Sequence, residues 1–329
     1  MKNTLDFIVV GAMKSGTTSL FEHLRQHPEI ELPPNKEAPF FSHDDVYRRG
    51  WPEYLGRTFF RADPNSKWGT ITGQYMVGGL WEQPHSGADG RPYGERTVPL
   101  RIRDHVPNAR LIAILRDPVE RARSYHRMAV LNGWDERSFE QAIDDLLQPD
   151  ALEDARRQPR ETTGYVTWGE YGRILAGYFD VFPREQILVL FTSELENDPE
   201  RLLRRIHEFI GVQADFVPDG IGVRYRVGAS EQRLRLLGFQ SPLNPWAIQR
   251  ALAGNSAMRR MWRALPILAR RQIYRAFTRA AFRIDLWNRR AAVDPVDADR
   301  ATLERLRAHY AEDTRELSAL LGTDPPWRA

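Results

Sequence analysis

Short, predominantly apolar runs near residues 7–10, 110–115 and 186–191 alternate with longer stretches in which apolar residues return at helical spacing. A run without polar alternation reads as a strand buried on both faces. Strands separated by helical patterns assemble as a parallel sheet with helices on each side. After the first run a helical pattern opens at Leu20-Phe21 and continues to Leu24. After the second, one opens near Pro118 with Glu120 in its first turn, and both residues favour a helix start. Ligand loops of such a sheet lie at the C-terminal ends of its strands. The segments following Val10 and Leu115 are therefore where chemistry is expected.

Both segments carry residues suited to anions. The first reads Gly11-Ala12-Met13-Lys14-Ser15-Gly16-Thr17-Thr18-Ser19. A strand–loop–helix turn aims backbone N–H groups and a helix dipole at one point, and Lys14 adds a full positive charge beside it. This is not a Walker A loop, because the lysine precedes Ser15-Gly16-Thr17-Thr18 instead of following the second glycine. In the second segment Arg116 stands at the strand end, and Ser124 follows about two helical turns later, so the two can converge on one anion. Between these segments lies Pro33-Pro34-Asn35-Lys36-Glu37-Ala38-Pro39-Phe40-Phe41, a Pro-rich loop in which Glu37 by itself reads as a solvated carboxylate.

Taken together, the three segments resemble sulfotransferases that use 3′-phosphoadenosine 5′-phosphosulfate (PAPS). Lys14-x-Gly16-Thr17-Thr18 is similar to their 5′-phosphosulfate loop, and Arg116 with Ser124 to the pair gripping the 3′-phosphate. Lys36-Glu37-x-x-Phe40-Phe41 is similar to the element of the heparan-sulfate-type and related bacterial enzymes whose glutamate is the general base. The resemblance implies catalytic roles for Glu37 and Lys14. It implies PAPS contacts from Lys14, Ser15, Gly16, Thr17, Thr18, Ser19, Arg116 and Ser124. Arg224, Arg226, Ser230 and Arg233 lie where relatives bring a third cofactor loop, and Arg233 is the one assigned to the cofactor. The implied donor is PAPS, the by-product PAP, and no metal is expected. The likeness runs on through Val98–Ile102, Tyr171-Gly172-Arg173, Gln186–Leu190, Phe209–Val212 and a closing helix from His309 to Gly322.

Composition narrows the setting. The 329 residues are 42% hydrophobic and contain no internal repeat, which fits one α/β domain. The expected fold is a P-loop-like parallel sheet flanked by helices, with a helical basic C-terminal region. Its parts are an α/β core with insertions over 5–240, an Arg-rich helical lid over 241–295 and a closing helix over 296–329. Zero cysteines exclude disulfides, a thiol nucleophile and thiolate metal sites. The eight histidines show no metal-ligand spacing, and no Gly-x-Ser-x-Gly elbow occurs. The first strand is expected to begin by about Leu5, and with no room before it neither a signal peptide nor an anchor is expected. A bacterial cytoplasmic enzyme is expected. Only Lys2, Lys14, Lys36 and Lys67 are lysines among 47 basic residues, and two of the four stand inside the motifs. An ammonium is a compact point charge unlike the guanidinium fork.

The net charge of +3 is uneven, because residues 246–290 hold a run of arginines against the single acid Asp285. Trp262, Leu265, Ile267, Leu268, Ile273, Phe277 and Phe282 interleave them, which makes an amphipathic basic stretch. A lid over cofactor and acceptor is the preferred reading, and peripheral membrane contact the second. No RNA- or DNA-binding motif supports nucleic acid as a partner. Two other functions stay open: a P-loop small-molecule kinase, and a non-catalytic basic membrane-surface module. Where relatives commonly read Gly-Glu-x-Ser/Thr-Pro-x-Tyr, this chain has Gly69-Thr70-Ile71-Thr72-Gly73-Gln74-Tyr75. That departure argues against a heparan-like polyanion and leaves a hydroxyl or amine of a glycan, glycolipid or small molecule as acceptor. The oligomeric state is not legible.

Overall fold

The computed structural model describes residues 2–34, 36–59, 62–77, 94, 96–158, 160–222 and 298–328. Five strands form one parallel sheet in the order β2-β3-β1-β4-β5. They are β1 (Phe7–Gly11), β2 (Ile30–Glu31), β3 (Lys67–Ile71), β4 (Arg110–Leu115) and β5 (Ile187–Phe191). β1 is central, with Phe7 opposite Gly69 on one side and Arg110 on the other. The three expected strands are present. The third starts at Ile187 because Arg184–Gln186 winds into a 3₁₀ turn. β2 and β3 carry no such apolar signal. Gly69 of β3 lies under the Phe7 ring, where a Cβ would fall 2.2 Å from a ring carbon.

Around the sheet run α1 (Thr17–Leu24), α2 (Asp44–Arg48), α3 (Trp51–Thr58), α4 (Thr97–His105), α5 (Pro118–Leu131) and α6 (Phe139–Leu146). They are followed by α7 (Pro149–Arg157), α8 (Gly164–Thr167), α9 (Tyr171–Phe179), α10 (Thr192–Asn197), α11 (Pro199–Ile210) and α12 (Arg300–Leu321). A 3₁₀ turn, Gly73–Val77, follows β3. Alternate residues of β1 and β4 feed opposite cores, as the strand period of two requires. Phe7, Val9, Ile112 and Ile114 pack with Leu20, Phe21 and Leu24 of α1 and with Leu202, Leu203, Ile206 and Ile210 of α11. Ile8, Val10, Leu111, Ala113 and Leu115 pack with Val98 and Ile102 of α4, Tyr171, Ile174 and Leu175 of α9, and Leu317 of α12. A third cluster joins Val119, Ala122 and Tyr125 of α5 to α6, α8 and α12.

The closing helix starts well before His309, because Asp299 caps it by accepting from the Thr302 amide at 3.3 Å. It is fixed to the body through α9, whose first amides, Gly172 and Arg173, donate to Asp313 at 2.9 Å each. Buried beside that contact, Glu170 takes Arg156, Arg173 and His309. Burial would raise the Glu170 pKa, but hydrogen bonds from His309 and Arg156 and the Arg173 charge hold it at about 2.

The fold carries an acid liability. His23 of α1 and His207 of α11 are buried at 2% and 1% exposure. Burial pulls both pKa values down to about 4, with the neighbouring His27 adding to the effect at His207. The unfolded chain therefore binds protons near pH 6.5 that the folded chain refuses until about pH 4. Stability should be intact above pH 6.5 and fall through that window, by at most about 1.4 kcal/mol per pH unit for each histidine. Urea denaturation at a series of pH values checks this. A slope unchanged in His207→Asn would remove His207 from the account.

Candidate active site

The loop between β1 and α1 turns sharply. Lys14 has φ 69 and Gly16 φ 94, both left-handed. Glycine tolerates this region, but a lysine there costs about 1–2 kcal/mol, and such strain collects where backbone is shaped for a ligand. Gly16 is the N-cap of α1, so the helix starts at Thr17, three residues before its apolar pattern begins. Thr17 and Ser19 are buried in this first turn and Thr18 is half-exposed. Ser15 is fully buried, and its hydroxyl has no hydrogen-bond partner among the described residues. The loop is tied to its neighbours by Ala12 N–H to the Ile114 carbonyl at 2.8 Å. The Thr192 hydroxyl bonds both the Ser15 and Leu115 carbonyls, at 2.9 and 3.0 Å.

Arg116 and Ser124 are brought onto the same side as this loop by α5. Asp117 caps the helix by accepting from Val119 and Glu120 amides at 2.8 and 3.2 Å, and Pro118 occupies the first turn. Arg116 pairs with Glu120 at 3.6 Å, its side chain one-third exposed. The Lys14 ammonium reaches Met128 Sδ at 3.5 Å. Glu120, Ser124 and Met128 succeed one another at i, i+4 and i+8, so they line one ridge of α5. Ser124 thus lies between the residue that holds Arg116 and the residue that Lys14 touches.

Glu37 reaches the same end of the sheet by another route. Phe40 and Phe41 are fully buried and anchor the loop. The Ala38 carbonyl accepts from Tyr54 and Tyr75 hydroxyls at 2.9 and 3.2 Å, and the Phe40 amide donates to Tyr75 Oη at 2.9 Å. Behind them Arg101 and Asp44 form a fully buried pair at 2.7 Å, with Arg101 also donating to the Phe41 carbonyl. Tyr75 belongs to the turn after β3, whose first residue, Gly73, lies against Met13. That turn links the Glu37 loop to the Lys14 loop. Glu37 itself is 47% exposed and forms an ion pair with Lys36.

Arg224, Arg226, Ser230, Arg233 and the whole Arg-rich stretch 241–295 lie outside the described residues. His126 is a packing residue: its Nε2 meets the Arg137 carbonyl at 3.0 Å and its ring sits between Phe139 and Tyr165. Among the described residues no metal-binding group occurs, and no helix is long and apolar enough to cross a membrane. The sequence reading missed Thr192 and Met128. Thr192, first residue after β5, had a signal in its place at a strand C-terminus. Met128 had none, since a methionine on an amphipathic helix reads as core.

A profile of the sulfotransferase family matches residues 6–216, which span the Lys14 loop, the Glu37 element and the Arg116 corner. The chain belongs to the sulfotransferase family. Among relatives, the chain is 27% identical over 216 residues to human bifunctional heparan sulfate N-deacetylase/N-sulfotransferase 3, covering 63% of this chain and 22% of that protein. It is 28% identical over 206 residues to mouse heparan sulfate glucosamine 3-O-sulfotransferase 3B1, covering 63% of this chain and 46% of that one. It therefore spans less than half the length of these curated relatives. A solved sulfotransferase from Alicyclobacillus acidocaldarius superposes over 99% of both chains with a TM-score of 0.62 at 24% identity, which shows the shared fold.

Proposed function

We propose that this sulfotransferase-family chain takes a sulfuryl group from PAPS and transfers it to a hydroxyl or amine of a glycan, glycolipid or small-molecule acceptor, releasing PAP. The observation that carries the reading is the common ridge of α5. Along it the Lys14 loop and the Arg116–Glu120 pair meet either side of Ser124, and in that loop the buried Ser15 hydroxyl has no partner among the described residues. An orphaned buried hydroxyl in a cationic loop at a helix N-terminus suits a phosphate-type oxygen.

The donor supplies an activated sulfuryl group. Lys14, the first amides of α1 and the hydroxyls from Ser15 to Ser19 hold its 5′ end and offset the negative charge that grows on the leaving phosphate. Arg116 and Ser124 hold the 3′-phosphate and so fix where the sulfuryl group lies. Arg116 must exchange Glu120 for that phosphate. The Arg116–Glu120 pair is half-exposed and worth little, so the exchange costs little. Glu37 accepts the acceptor's proton as the new S–O bond forms, while Lys36 orients its carboxylate. We assign Arg233 to a third cofactor loop, residues 241–295 to a lid, and the chain as a whole to one catalytic domain. The absence of cysteine suits a reducing compartment, and we place the enzyme in a bacterial cytoplasm.

Thermal unfolding tests the donor. PAP at about a hundredfold over its Kd should stabilise the fold by about 2.7 kcal/mol, and ATP with Mg²⁺, lacking the 3′-phosphate, far less. Equal stabilisation by both would sink the Arg116–Ser124 assignment. Stabilisation by ATP alone would favour the kinase reading.

A further inference from the structure

The Lys14 loop is strained, and a side chain from another strand's end holds it. Lys14 and Gly16 are both left-handed, and Ser15 lies between them. The Ser15 amide closes a turn inside the loop, onto the Ala12 carbonyl at 3.3 Å. Its carbonyl is held from outside. Thr192 is the first residue of α10, directly after β5. Its hydroxyl has one proton to give, and places it between the Ser15 carbonyl at 2.9 Å and the Leu115 carbonyl at 3.0 Å. Leu115 is fully buried and ends β4, in register with Phe191, the residue before Thr192. The bond therefore runs from the loop to the fixed end of the sheet.

The corner that carries Thr192 is itself well anchored. The Phe191 amide donates to the Glu194 carboxylate at 2.8 Å, and Glu194 pairs with Arg205 of α11. Leu195 is buried with α11 and touches the loop a second time, since a Cβ on Gly16 would stand 3.0 Å from its Cδ2. Two successive loop residues, Ser15 and Gly16, thus lean on one corner. The peptide joining them is planar and trans. Turning its carbonyl onto Thr192 therefore turns the Gly16 N–H the opposite way, away from the sheet end. A lysine at positive φ keeps that conformation only where its surroundings hold it there.

We propose that Thr192 is a positioning residue that keeps the Lys14 loop in its ligand-ready shape. It touches no ligand and acts through the Ser15 peptide. With the hydroxyl in place, Lys14 and Gly16 hold their left-handed turns before the donor arrives, so no binding energy is lost in ordering them. The proposal rests on the PAPS reading above and adds to it the means by which the 5′ site is built in advance. Its effect falls on that end of the donor alone. The Arg116 corner keeps its own supports, the β4–β5 ladder and the Asp117 cap, so the 3′-phosphate site outlasts loss of the bond.

The test compares dissociation constants for PAP, 5′-AMP and 3′-AMP by calorimetry in the whole chain as wild type, Thr192→Val and Thr192→Ser. Valine keeps the branched shape and removes the hydroxyl, whereas serine keeps the hydroxyl. Thr192→Val should weaken PAP and 5′-AMP alike, by about 3- to 10-fold, the size of one net hydrogen bond. Only molecules whose loop is in shape then bind tightly. Binding of 3′-AMP should change less than about twofold, and Thr192→Ser should lie within about twofold of wild type for all three. Thr192→Ala removes the same hydroxyl and serves should Thr192→Val fail to fold. A merely structural role would weaken all three nucleotides alike. That outcome, unchanged PAP binding, or a serine variant no better than valine overturns the proposal. A wild type with no preference for PAP over either monophosphate would instead overturn the PAPS reading itself.

Discussion

Glu37→Gln should lower turnover by about 10²- to 10⁴-fold and leave PAP binding close to wild type. The substitution preserves size, but it removes the negative charge, and with it the ion pair to Lys36, together with the ability to take a proton. Little else should change, because the side chain is 47% exposed and the loop is anchored by other groups. Phe40, Phe41 and the hydroxyls of Tyr54 and Tyr75 fix the backbone on either side. The expected pattern is a loss of kcat with an unshifted melting temperature and an unshifted PAP titration. A Glu37→Gln enzyme with near-normal turnover, measured with labelled PAPS and any acceptor it accepts, would remove Glu37 from the mechanism. Another carboxylate would then have to be sought.

Lys14→Ala should reduce both turnover and donor affinity, which separates it from Glu37→Gln. Loss of one preorganised donor at a developing oxyanion costs about 10²- to 10³-fold in kcat. The same ammonium also attracts the donor in its ground state, so the Kd for PAP should rise. Alanine at a left-handed position is strained much as lysine is, so apo stability should move little. The control is Lys14→Arg, which restores charge but presents a planar fork in place of a point charge. It should recover PAP affinity more fully than turnover. Unaltered PAP affinity in Lys14→Ala would place the ammonium outside the phosphosulfate site.

Much of the site was legible because its parts are local. An apolar run ending in a polar, glycine-containing loop and then a helix predicts where β1 hands over to α1, and 110–131 repeats the arrangement with Pro118 as the start signal. Parallel strands buried on both faces read as near-continuous apolar runs, so β1, β4 and β5 announced themselves. β3 did not. Lys67 lies at its start, and Gly69 is a glycine for the sake of the Phe7 ring across the sheet, a neighbour sixty-odd residues away in sequence.

The sequence alone therefore determined the parallel α/β class and offered Lys14, Glu37, Arg116 and Ser124 as candidates. The class rests on short-range patterns of apolar runs, caps and loop residues, and the roles of the candidates on their likeness to the sulfotransferase motifs. Tertiary structure decided what those residues are near. The strand order puts β3 beside β1, and so carries Tyr75, Gly73 and the Glu37 loop to the edge of the Lys14 loop. The packing of α5 against α8 and α12 drove Arg121 into the interior, although an arginine on a polar helix reads as solvated. No local rule places a charge inside. Only the meeting of three helices, each burying its own apolar face, leaves that side chain nowhere else to go.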